Sequence, residues 1–201
     1  MIVSSSRNFV FAHVPRTGGI SISGALEPFA DMPADPAIQT HDTLAVLLAR
    51  HPETAGHFKF GFVRNPWERL VSFYAHARRY LAPTVPEMQS LDFPGMVRAL
   101  DRDEPWTRRI FAFRPQRDFF CDENGAQLGD WIGRFERLEQ DFRTVCRRIG
   151  VSAALPLRNA SEHGPYPEYY DARSRDLVRA RYRDDIEAFG YAFARDKECA
   201  A

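Results

Sequence analysis

Between Phe9 and Ile22 an apolar, β-prone run stops at Pro15, a glycine pair follows at Gly18 and Gly19, and helix-compatible residues resume at Ile20. That order predicts a strand, a tight loop and a helix. Such a junction suits an anion, because the first amides of a helix lack intrahelical partners and point out of its positive end. Gly18 and Gly19 let the backbone close on a phosphate. Arg16 adds a permanent charge on a planar donor fork, and Thr17 and Ser21 offer hydroxyls. The pattern G-x-x-x-x-G-K-[ST] is absent and no lysine lies near the loop, so this is not a Walker loop. Taken by itself, it also reads as an ordinary βα turn that uses glycine for its geometry.

A second strand-to-helix junction runs from Lys59 to Tyr74, with Arg64 at the strand end. Asn65 suits an N-cap, Pro66 the first helical position and Glu68 the capping-box position. Trp67, Leu70, Val71 and Tyr74 follow the spacing of a buried stripe, which leaves Ser72 on the face shared with Asn65, Glu68 and Arg69. Ser72 is thereby expected to look towards the strand end at Arg64. A surface or ion-paired arginine is the plainer reading of Arg64, and two anion-competent junctions in one short chain weigh against it.

Together the two junctions resemble the sulfotransferases that use 3′-phosphoadenosine 5′-phosphosulfate (PAPS), in particular the carbohydrate branch, sulfotransferase family 2. His13 to Ser21 is similar to that family's H-x-P-K-T-G-G-T-S loop, which holds the 5′-phosphosulfate. Phe62 to Tyr74 matches its F-V-R-N-P-x-x-R-L-x-S-x-Y segment, which holds the 3′-phosphate. Arg16 stands where the family usually has lysine, and Ile20 where it usually has threonine. The resemblance implies a single P-loop-like α/β domain over residues 1–201, three-layer α/β/α with a central parallel sheet. It implies donor binding by Pro15, Arg16, Thr17, Gly18, Gly19, Ile20, Ser21, Arg64 and Ser72, and by Arg158, Asn159 and Ser161 from a later Asn- and Ser-containing loop. It also implies a catalytic base between the two motifs, for which His41 is the candidate, with Arg16 stabilising charge; no metal is required. The product would be 3′-phosphoadenosine 5′-phosphate. The acceptor would be a hydroxyl on a carbohydrate or small metabolite.

Histidine suits that role because its unperturbed pKa lies near neutrality. A surface or helix-capping role is the alternative for His41. His13 is expected to be structural, packed beside the loop.

The remaining elements must position these groups. A helix is expected from Gly19 to about Phe29, and another through Arg50 capped by Thr40 or Asp42. A short helix is expected from about Phe93 to Leu100, and strands over Arg117–Cys121 and Asp130–Phe135. Phe135, Leu138, Phe142, Val145, Cys146 and Ile149 recur at helical spacing up to Gly150, with Arg134 a further candidate for donor contact. Ala172 to Phe189 reads as one helix ended by Gly190. Trp106, Arg108, Arg109, Phe111, Phe113 and Arg114 mix aromatic and cationic groups, which fits either an acceptor site or a core edge with solvated charges.

The chain has 201 residues and a formal net charge of zero, so no global field draws it to nucleic acid or membrane, and an anion site must be made locally. No long apolar run suggests a leader or a membrane span, and a cytoplasmic protein is expected. Cys121, Cys146 and Cys199 are odd in number without C-x-x-C spacing, which implies neither a disulfide framework nor a zinc site. Two rival readings stand beside sulfuryl transfer. One is an ATP-dependent small-molecule kinase, disfavoured by the missing Walker lysine. The other is a nucleotide- or glycan-binding protein of the same fold without catalysis. Oligomeric state and the identity of the acceptor are not legible.

Overall fold

The computed structural model describes residues 1–32, 35–81, 84–156 and 163–194. In chain order its strands and first helices are β1 (Ile2–Ser4), β2 (Phe9–Ala12), α1 (Gly19–Leu26), α2 (Leu44–Arg50), β3 (Phe58–Val63) and α3 (Pro66–His76). Then come α4 (Glu87–Ser90), α5 (Phe93–Asp101), β4 (Trp131–Arg134), α6 (Leu138–Ile149), α7 (Ala172–Arg181) and α8 (Arg183–Phe189). The chain forms an α/β fold whose backbone divides into two compact units, each built from separate stretches of sequence: residues 1–64 with 116–160, and 65–115 with 161–201.

The first unit holds the sheet, in the order β1-β2-β3-β4. β2, β3 and β4 run parallel, with Ala12 opposite Gly61 and Val63 opposite Arg134. β1 is antiparallel to β2, so the sheet is mostly rather than wholly parallel. The antiparallel edge has a simple cause: only four residues separate Ser4 from Phe9, enough for a tight reversal but far short of a parallel crossover. Alternation sends Phe9, Phe11, Phe60 and Phe62 to one face, where they pack in one cluster with Ile22 and Leu26 of α1 and Phe142, Val145 and Ile149 of α6. Val10 and Ala12 point to the other face and are equally buried. Gly61 shares that face, and a methyl group there would stand 2.5 Å from the Phe120 ring, so the phenyl packs directly on the strand backbone.

Four local expectations are corrected within this unit. The first helix is α-helical only to Leu26 and tightens to a 3₁₀ turn over Glu27–Phe29. α2 is capped by Thr43, whose Oγ1 accepts from Val46 N, because the Asp42 carboxylate instead accepts from Gln39 N at 2.7 Å. Arg117–Phe119 is a 3₁₀ turn, not a strand, and Cys121 makes only an isolated bridge to Gln127. β4 starts at Trp131, and a 3₁₀ turn over Phe135–Arg137 leads into α6, which ends at left-handed Gly150.

The second unit is helical. Asn65 caps α3 through Trp67 N, with Pro66 in the first turn. Trp67, Leu70, Val71 and Tyr74 enter a core shared with Phe93, Met96, Val97, Phe113, Tyr182 and Phe193. Trp106 and Phe113 belong to this core, with ring centroids 6.0 Å apart, while Arg108 pairs with Asp103 at 2.8 Å. Within the aromatic and cationic mixture over 106–114, Trp106 and Phe113 thus serve the core and Arg108 is a solvated charge. The expected last helix is two, broken at Tyr182, whose hydroxyl donates to Phe113 O at 2.9 Å and whose backbone leaves helical geometry. Among the described residues, no helix is long and apolar enough to cross a membrane.

Candidate functional site

In the first unit the carboxyl ends of β2, β3 and β4 lie side by side, and each is followed by a residue with anion chemistry or by a residue that braces one. After β2 the loop turns sharply: Arg16 takes φ 67° and Gly18 φ 82°, both left-handed. A non-glycine residue there carries a strain on the order of 1 kcal/mol or more, the kind held in place by its surroundings at functional sites. Gly18 is the N-cap of α1 and supplies no side-chain acceptor, and the first turn contains no carboxylate. The positive end of this helix is therefore not neutralised by its own residues.

Gly18 is favoured by its left-handed backbone, and Gly19, whose backbone is helical, by contact. A Cβ at Gly18 would stand 2.7 Å from Leu138 Cδ2, and one at Gly19 2.0 Å from the His13 ring. The Thr17 hydroxyl donates to Val14 O at 2.9 Å and is fully buried. That hydrogen bond shapes the loop. Pro15 and Ser21 are buried, whereas the Ile20 side chain is 46% exposed. Ile20 can offer an anion only its backbone N–H.

Arg64 follows the last residue of β3 and is 4% exposed. Its Cζ lies 4.1 Å from the centroid of the Phe135 ring, and its Nη1 stands 3.4 Å from the Arg16 carbonyl oxygen. Burial, and next to it the like charge of Arg64, pulls the Arg16 pKa down to about 10. Two guanidinium groups brought together in this way favour an anion between or beside them. Arg134 ends β4, where its backbone N–H donates to Asp141 Oδ2 at 2.8 Å.

His41 lies in the same unit. Its ring centroid is 4.6 Å from that of His13, edge to face, and its Nδ1 is 3.0 Å from His13 O. A carbonyl oxygen only accepts, so Nδ1 carries the proton and the lone pair of the neutral ring resides on Nε2. Burial, the largest influence, lowers the His41 pKa from its ordinary 6.5. His13 is 5% exposed, and its Nδ1 has no hydrogen-bond partner among the described residues. Burial first, then the neighbouring His41, brings its pKa down to about 3. It is a neutral ring wedged between Gly19 and His41, as expected of a packing residue.

The loop residues Pro15 to Ser21, Arg64 and His41 thus all belong to one unit. Ser72 belongs to the other, on α3, and is fully buried there. Arg69, its motif neighbour, is also fully buried and donates through Nη2 to Arg114 O at 2.8 Å, a structural role. Arg158, Asn159 and Ser161 lie outside the described residues. Two residues at the site went unnoticed in this capacity: Phe135, read only as core, and Gln116, whose carboxamide hydrogen-bonds both backbone groups of Arg64. No spacing or motif marks a glutamine that acts on a residue 52 positions earlier.

A family model described as the sulfotransferase family matches residues 1–192. An uncharacterized protein of Archaeoglobus fulgidus is 29% identical over 103 residues, which are 51% of this chain and 76% of that protein. No solved structure matches the chain.

Proposed function

The chain belongs to the sulfotransferase family, sulfotransferase family 2, and from that premise we propose that it transfers a sulfuryl group from PAPS to an acceptor hydroxyl on a carbohydrate or small metabolite. The observation that carries this reading is the meeting of Arg64 with the loop that bears Arg16, at the carboxyl end of a mostly parallel sheet. Ligands of open α/β sheets bind at that end. PAPS needs two anion grips, one for its 5′-phosphosulfate and one for its 3′-phosphate. Arg16 with the amides of Gly18, Gly19, Ile20 and Ser21 would serve the first. Arg64 and Ser72, with Arg158, Asn159 and Ser161, would serve the second, and this second grip is what separates PAPS from ATP.

In the proposed step the acceptor hydroxyl oxygen forms a bond to sulfur as the bond from sulfur to the bridging phosphate oxygen breaks. His41 Nε2 takes the hydroxyl proton. Arg16 stabilises the charge that accumulates on the leaving phosphate of 3′-phosphoadenosine 5′-phosphate, and as an arginine it does so without giving up a proton. Positioning and electrostatics carry such transfers, as they do in phosphoryl transfer.

The test is product release from PAPS in the presence of a panel of saccharide and small-metabolite acceptors. Acceptor-dependent release of 3′-phosphoadenosine 5′-phosphate, lowered about 100-fold or more by His41→Ala with donor affinity unchanged, is the expected result. An equally active His41→Ala protein removes this histidine as the base. Donor binding without turnover on any acceptor favours a non-catalytic nucleotide-binding protein.

A further inference from the structure

We propose that Gln116 is a positioning residue for Arg64 and so sets the preference for a 3′-phosphorylated nucleotide, an inference that rests on the donor reading above. Arg64 stands one residue beyond the end of β3, where Val63 makes the last pairing with β4. Its backbone groups have therefore left the ladder and need other partners if they are to stay fixed. Gln116 supplies them: Arg64 N donates to Gln116 Oε1 at 2.9 Å, and Gln116 Nε2 donates to Arg64 O at 2.8 Å. The carboxamide acts as a one-residue strand, reading an N–H and a C=O as a neighbouring strand would.

The clamp is well made. Gln116 is completely buried and leads directly into the 3₁₀ turn Arg117–Phe119. In that turn Phe119 N donates back to Gln116 O at 3.1 Å. The main chain of Arg64 is thus held on one side by Gln116, while its guanidinium lies over Phe135 with Cζ 4.1 Å from the ring centroid. Both ends of the side chain are constrained before any ligand arrives, so little rotamer freedom is left to lose on binding an anion.

Glutamine is specifically suited to this clamp. Glutamate has the same reach but no donor for Arg64 O, and its charge would face that carbonyl. Asparagine is one methylene too short, and methionine keeps the volume but makes neither hydrogen bond. Loss of the clamp frees the Arg64 backbone and lets the guanidinium wander from the place where a 3′-phosphate would bind.

The experiment compares binding of 3′-phosphoadenosine 5′-phosphate and of adenosine 5′-phosphate to the wild type and to Gln116→Met by calorimetry, with thermal unfolding of each protein measured alongside. In the wild type the 3′-phosphorylated nucleotide should bind more tightly. In Gln116→Met its affinity should fall about tenfold or more while that of adenosine 5′-phosphate changes about twofold or less, as expected when two buried hydrogen bonds that fix one arginine are lost. Gln116→Asn, which keeps a polar head on a shorter stem, is the second variant and should show the same loss of discrimination. A folded variant that keeps the wild-type ratio overturns the proposal, and so does unfolding of both variants, which would assign Gln116 to stability alone. A wild type that does not distinguish the two nucleotides instead refutes the donor reading on which the proposal stands.

Discussion

The lone pair on His41 Nε2 is defined by a carbonyl: His13 O, 3.0 Å from Nδ1, can only accept, so the other nitrogen is left to take a proton. Burial keeps that ring neutral by lowering its pKa below 6.5. As the proposed base, His41 would therefore be ready throughout the neutral range and be lost only as pH falls through the lowered value. The acid limb of a kcat against pH profile should lie below 6.5, and a limb above 6.5 would contradict the assignment. His13 makes a separate prediction about stability. Its folded pKa is about 3 against an ordinary 6.5, so between those values the unfolded chain binds the extra proton and stability falls as the pH falls. Denaturant unfolding between pH 7 and 4 should show this slope, and His13→Asn should flatten it; an unchanged slope would place the titration elsewhere. Arg16→Lys should keep or raise the transfer rate if a point charge suffices at the loop, whereas complete loss would show that the planar fork is needed.

At the scale of elements, the start of α1 inverts a usual rule. Glycine to alanine within a helix generally stabilises by roughly 0.5–1 kcal/mol. At Gly19 the added methyl would stand 2.0 Å from the His13 ring, so Gly19→Ala should lower the unfolding midpoint and weaken nucleotide binding together. A more stable Gly19→Ala protein would show that the ring moves aside freely. Element starts with their own chemistry were legible in the sequence: Asn65 and Pro66 announce α3, and Phe9 to Gly18 announce the strand and loop. Boundaries set by distant partners were not. Nothing local reveals that Tyr182 breaks the last helix to reach Phe113 O, or that the β-prone stretch at Arg117–Cys121 turns as a 3₁₀ segment, placing Phe120 on Gly61 while β4 pairs with β3. The residues of the candidate site were read from motif chemistry, but the contacts that brace them, Gln116 on Arg64 and His13 on Gly19, arise only in the folded chain.

On the scale of the whole molecule, zero formal net charge means that attraction for a polyanion must come from a few buried cations and helix ends. The second motif crosses from one compact unit to the other between Arg64 and Asn65, and each unit takes in two stretches of the chain. Neither unit can be cut out as a continuous piece, and we expect calorimetric unfolding as a single transition; two resolved transitions would assign independent domains. The claim on which the account turns is a preference for a 3′-phosphorylated nucleotide. Calorimetric titration of the purified protein with 3′-phosphoadenosine 5′-phosphate, beside ADP and magnesium-ATP, tests it most directly. The 3′-phosphorylated nucleotide should bind about tenfold or more tightly than either of the others, since each lacks the partner of a charged hydrogen-bonding arginine. Preference for magnesium-ATP would contradict the claim and favour the kinase reading instead.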